Sequence, residues 1–181
     1  MHEATEWHGS IWPEPPHDME NAQAQVYTYE RLKQEMERLK KHEDEQRFFR
    51  KELRAHRALL RPGSGDWSLN FLYQVSSNYG QSVMLPLMWL FVLFAMGSVF
   101  YAMHTKTLSS TAFSLEAIPH AAALSFANLI PFVPITHEII SANTIAGLSR
   151  TEKIIGVLQT LLGTPLIFLL GLALRNRFRM R

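Results

Sequence analysis

Two runs of residues without a charge limit this chain more than any other feature. One is Val83 to Met103 and the other Ile154 to Leu174, each 21 residues long. About 20 such residues, rising 1.5 Å each, cross the hydrocarbon of a bilayer. Uncharged apolar runs of this length are seldom anything else. Pro86 falls in the first turn of the first run, where a missing N–H costs nothing. Pro165 lies inside the second, where a kink is expected; membrane helices tolerate one when neighbours satisfy the freed carbonyl. The expected fold is a mainly α membrane protein.

Charge divides the rest of the chain. Of 18 Lys and Arg residues, 11 lie between Arg31 and Arg61 and four in the last seven positions. That asymmetry describes a polar part joined to a membrane part. The positive-inside tendency puts both ends in the cytoplasm, which requires an even number of crossings. The absence of cysteine excludes disulfides, thiolate metal sites and cysteine nucleophiles. The first 20 residues lack a basic segment followed by an apolar one, so no cleavable signal peptide is expected.

Residues 1–20, with Trp7, Trp12 and three prolines, form an irregular N-terminal segment. Residues 21–61 read as a cytoplasmic helical hairpin, with one bent helix as the alternative. Tyr29, Leu32, Met36 and Leu39 recur at helical spacing, the stripe fails at Glu43 and Gln46, and it restarts with Phe49, Leu53, His56 and Leu60. Asp44 is the expected cap of the second helix, and Glu37 stands four residues before Lys41 in the favourable order. Neither stripe makes a self-sufficient core, so a protein partner through 21–61 is expected. Acidic residues interleave with the basic ones throughout, which speaks against nucleic acid.

Arg61-Pro62-Gly63-Ser64-Gly65 is a linker. Residues 66–80 then carry Trp67, Phe71, Val75 and Tyr79 at four-residue spacing and few charges, the pattern of an interfacial amphipathic helix. The membrane domain covers 83–174, and a basic cytoplasmic tail, 175–181, follows it.

Between the spans lies an apolar but broken segment, 111–135. Pro119 suits a first helical turn, His120 to Leu129 continues as a short helix, and Pro131 and Pro134 stop it. Ten residues of helix reach about 15 Å, half a hydrocarbon core. A half-length helix followed by extended backbone is the pattern of a re-entrant, pore-loop-like segment. A third span from Ala117 to Ile135 and a cap outside the bilayer are the alternatives; charge favours the re-entrant form.

The candidate polar residues at membrane depth are Ser125, Asn128, Gln159 and Thr160. Two roles are open to them: lining a path for water or ions, or bonding helices to one another. Gly156, Thr160 and Thr164 make a small-residue face. Gly156 and Gly163 are expected in helix packing, and Pro131 and Pro165 at a break and a kink. Glu116, His120, His137 and Glu138 flank the broken segment without metal-site spacing. His2, His8 and His17 fare no better. With no phosphate loop and no catalytic ordering, the expectation is no enzyme, cofactor or metal.

Three stretches carry a family resemblance. They are His2-Glu3-Ala4-Thr5-Glu6-Trp7-His8-Gly9 with Trp12-Pro13, then Tyr29 to Lys33 through His42 to Glu45 with Phe48-Phe49, then Ser125 to Phe132 with Leu158 to Leu162 and Gly171 to Arg179. Together the chain resembles the C-terminal membrane region of bacterial pentapeptide-repeat proteins. The resemblance implies a place in the bacterial inner membrane. No five-residue repeats occur here; the chain starts where they would end. The order helix, broken short helix, helix also resembles two-span pore modules. Asn128-Leu129-Ile130-Pro131-Phe132 stands where those carry a glycine-bearing filter, which puts potassium selectivity in doubt. Two functions are therefore expected. One is a homo-oligomeric channel-like pore in the lipid bilayer, since two helices cannot enclose a path alone. The other is a membrane anchor presenting a cytoplasmic scaffold.

Overall fold

A computed structural model of the chain describes residues 19–104, 117–132 and 147–179. Every described element is helical. The elements are α1 (Met19–Arg38), α2 (His42–Leu59), α3 (Gly65–Ser77), α4 (Met84–His104), α5 (Ala117–Leu129) and α6 (Arg150–Arg179). They form two compact units, 1–81 with 173–181, and 82–172.

In the first unit α1 and α2 share a small core of Tyr29, Leu32, Met36, Phe48 and Ala55. The tie is reinforced by Lys33 Nζ to Glu52 Oε2 at 2.6 Å. The inward phenylalanine is Phe48, 1% exposed, whereas Phe49 and Leu53 are only partly buried and His56 is exposed. The stripe expected on α2 is thus off by one residue; of the Phe48-Phe49 pair, only Phe48 stacks against Tyr29. The helices part at a left-handed turn. Lys40 has φ 56°, its N–H bonds Glu37 O, and that of Lys41 bonds Met36 O. This is a Schellman closure with lysine at the position glycine favours. It takes Lys41 out of the helix, so Glu37 and Lys41 have no helical pairing geometry. Asp44 is not the cap of α2 either. Lys41 holds that position without a side-chain bond, and Asp44 lies in the first turn, where a carboxylate suits the helix dipole.

Ser64 caps α3 by accepting from Trp67 N at 3.2 Å. The helix turns its polar side inward. Asn70 Nδ2 donates to Leu53 O at 3.2 Å, and Arg57 donates to Gln74 Oε1. Leu69, Phe71, Leu72 and Val75 are left exposed. Tyr79 is not on the expected stripe. The helix ends at Ser77, and Asn78, Tyr79 and Gly80 all take positive φ. That turn folds the Tyr79 ring inward to 1% exposure, where its hydroxyl donates to Asn70 Oδ1 at 3.0 Å. Burial pushes the phenols of Tyr29, Tyr73 and Tyr79 above their ordinary range. Asn176, near the end of α6, donates to Gly80 O at 2.9 Å.

Among the described residues two helices are long and apolar enough to cross a membrane, Met84–His104 and Arg150–Phe178; the first, and the second as far as Leu172, belong to the second unit. Only 17% and 22% of their most apolar windows are buried, whereas a soluble core helix would be mostly buried. The second is longer than the uncharged run because Ser149 and Glu152 start it early. Ser149 N donates to Glu152 Oε2 at 2.6 Å and Glu152 N to Ser149 Oγ at 3.3 Å, a reciprocal capping box. Helix α6 continues through Pro165. Of the segment 111–135, residues 111–116 and 133–135 lie outside the described residues, as do residues 1–18.

Candidate functional site

The second unit is organised around polar side chains in an apolar setting. Ser125 and Gln159 are 0% and 4% exposed. Gln159 Nε2 donates to Ser125 Oγ at 2.6 Å and to Leu93 O at 3.1 Å. Ser125 Oγ donates onward to Phe94 O at 2.9 Å. Both carbonyls belong to α4, and that of Phe94 also accepts from Ser98 Oγ at 2.8 Å. One directional chain therefore runs from α6 through α5 to α4. It also fixes the amide: a flipped Gln159 would set its oxygen against Leu93 O. Gln159 Oε1 is buried without a partner among the described residues, a penalty of about 1–3 kcal/mol.

A second network lies beside the first. Asn128 Nδ2 donates to the Tyr101 hydroxyl at 3.0 Å, and that hydroxyl to Glu152 O at 3.4 Å. Thr160 Oγ1 donates to Asn128 O at 2.7 Å. Again each of α4, α5 and α6 contributes. These interhelical bonds tie the short helix α5 to both long helices.

Glycines make room for the networks. A Cβ on Gly97 would lie 2.5 Å from Ser125 Oγ and 2.9 Å from Gln159 Cδ. One on Gly156 would lie 3.1 Å from the Tyr101 hydroxyl and 3.2 Å from Asn128 Nδ2. Gly163 faces the Leu129 backbone, whose carbonyl would stand 3.1 Å from an added Cβ. Pro131 follows α5 in a turn, and Ile130 N closes that helix on Phe126 O.

The three helices also border a groove of about 680 Å³. Along α6 its lining repeats every four residues, from Glu152 and Lys153 through Gly156 and Thr160 to Thr164 and Pro165. Asn128 closes it from α5 and Tyr101 from α4. The lining is mostly apolar, with its charge at the Glu152–Lys153 end.

Ser125, Asn128, Gln159 and Thr160 thus come together, and Gly156 packs against the same networks. Pro165 borders the groove instead, and Gly163 packs on Leu129. Three residues of the site have no counterpart in the sequence reading. Gly97 is signalled only by being a small residue in an apolar span, Tyr101 by being a phenol in one. Glu152 is signalled by the Ser-x-x-Glu pattern beginning at Ser149. His120 is exposed on α5, while Glu116, His137 and Glu138 lie outside the described residues. Among the described residues no group of three His, Asp or Glu side chains could hold a metal ion.

No protein-family model matches this chain, and neither the curated proteins nor the solved structures include a match.

Proposed function

We propose that the chain is an integral membrane anchor that presents a helical scaffold at the cytoplasmic face of a bacterial inner membrane. On this reading α4 and α6 span, α5 is a re-entrant half-helix locked between them, and α3 lies in the headgroup region. One observation carries the anchor reading. Ser125 and Gln159 are buried and bonded across helices rather than turned toward a path, so their polarity goes into cohesion. The placement of α3 is supported by its outward Leu69, Phe71, Leu72 and Val75. The hairpin 21–61 is the surface offered to a protein partner, and a repeat solenoid of the resembled family is the kind of body it would meet.

The full chain reconstituted in planar bilayers tests this. Silent bilayers, with the protein retained through alkaline carbonate extraction, are the expected result. Unitary currents that change with Asn128→Ala would overturn it and establish the second reading, a homo-oligomeric pore. The groove favours that alternative, because its four-residue repeat places Thr160 and Thr164 on one face of a spanning helix. Neither reading assigns a catalytic, cofactor or metal role to any residue.

A further inference from the structure

The first unit contains three arginines that no described acid pairs with. Arg50, Arg54 and Arg57 follow one another at steps of four and three along α2, so they share a face. Among the described residues no ion pair reaches Arg50, Arg54 or Arg57. Glu52 is engaged by Lys33, Glu35 by Arg38 and Glu45 by His42. Among the described residues the groups that Arg54 and Arg57 touch are neutral. Arg57 donates to Gln74 Oε1 and lies over the Phe71 ring, 5.7 Å from its centroid. Arg54 reaches Asn78 Oδ1 at a long 3.4 Å. The Nε atoms of Arg50 and Arg54 are buried without a hydrogen-bond partner among the described residues.

A guanidinium does not deprotonate to escape this. Burial, then the charges of Arg54 and Arg47, pull the Arg50 guanidinium below its ordinary pKa range, so like charges are held together at a cost. An anion with several acceptor oxygens beside these guanidinium groups would relieve the repulsion; phosphate matches the arginine fork best. The cluster sits where α2 meets α3, and α3 turns Leu69, Phe71, Leu72 and Val75 outward.

We propose that Arg50, Arg54 and Arg57 form a seat for the phosphate of an anionic phospholipid, drawn from the bilayer surface on which α3 lies. The choice of lipid over free phosphate rests on the reading of α3 as interfacial. The acyl chains then stay in the bilayer beside the outward leucines, and only the headgroup enters the seam.

The test uses the full chain in phosphatidylcholine nanodiscs, titrated with phosphatidylglycerol, with inorganic phosphate, or with more phosphatidylcholine. Phosphatidylglycerol should raise the melting temperature, and the other two should not. Each of Arg50→Gln and Arg54→Gln should weaken the apparent lipid affinity by about fivefold. Arg50→Gln should also raise the melting temperature without anionic lipid, because it removes unanswered charge; Arg50→Lys should keep part of the lipid response. A lower melting temperature for Arg50→Gln in pure phosphatidylcholine would make the arginine a structural residue and overturn the seat. An undiminished lipid response in both Gln variants would do the same. An equal response to inorganic phosphate would overturn the lipid as source. Alkaline extraction keeps the two proposals apart. Loss of the wild-type chain from membranes defeats the membrane reading, whereas retention without a phosphatidylglycerol response defeats the seat alone.

Discussion

At the scale of single residues, backbone room and backbone handedness decide more than side-chain identity. Gly97 is the clearest case, because its missing Cβ leaves the volume that Gln159 and Ser125 occupy. Gly97→Ala must displace one of two bonded side chains, so it should destabilise the second unit by about 1–3 kcal/mol. Unfolding in mixed micelles would measure this, and an unchanged midpoint would mean that the helices shift freely. Lys40 presents the reverse situation. It adopts a left-handed φ that a side chain disfavours by about 1–2 kcal/mol, and its side chain is not needed for the backbone closure it makes. Lys40→Gly should therefore stabilise the α1–α2 pair by about 1 kcal/mol. A denaturant midpoint that falls would show the lysine side chain to be in use.

At the scale of elements, the two span-length helices were readable because bilayer thickness turns length and lack of charge into a local rule. The rotation of α2 was not. Phe48 and Phe49 are adjacent, either phase continues the pattern, and only the Tyr29 surface selects Phe48. The polarity of α3 was half readable. Trp67 and Phe71 stack at 5.3 Å as their spacing suggests, yet Tyr79 leaves the helix because three consecutive positive φ values turn the chain there. The polar residues of the site could be picked out individually, but not their pairing. Ser125 and Gln159 are 34 positions apart, and no local period encodes which residues meet across helices. Two tests belong to this scale. Leu69→Glu with Leu72→Glu should leave the helical circular dichroism intact, since both side chains point outward. It should sharply reduce the membrane affinity of α3, read as Trp67 quenching by brominated lipid; undiminished quenching would place α3 away from the bilayer. The second follows from the buried phenols. A tyrosine whose folded pKa is raised contributes stability present below its unfolded value, about 10, and lost as pH rises through the folded value. With Tyr29 and Tyr79 both raised by burial, the denaturant midpoint of the first unit should fall as pH rises above about 10. A midpoint that does not change there would mean these phenols ionise without opening their surroundings.

At the scale of the whole chain, topology is the property on which every functional reading depends. The basic residues before α4 and after α6 ask to stay on one side of the bilayer, and two spans satisfy both. If α5 crossed as a third span, the arginine-bearing end of α6 would move to the opposite side from α1 and α2. Its 13 residues, about 20 Å at 1.5 Å each, fall short of the hydrocarbon thickness. Its polar side chains are already bonded to the helices on either side. The absence of native cysteine makes the question directly measurable. Single cysteines at exposed Asn21, Gly147 and Phe178 would be labelled in spheroplasts with a reagent that does not cross membranes. Gly147→Cys should react, while Asn21→Cys and Phe178→Cys should react only after permeabilisation. Labelling of Phe178→Cys in intact spheroplasts, with Asn21→Cys still protected, would demand an odd number of crossings. The anchor with both ends cytoplasmic would then fall, whatever the hydrogen bonds of the second unit contribute to its stability.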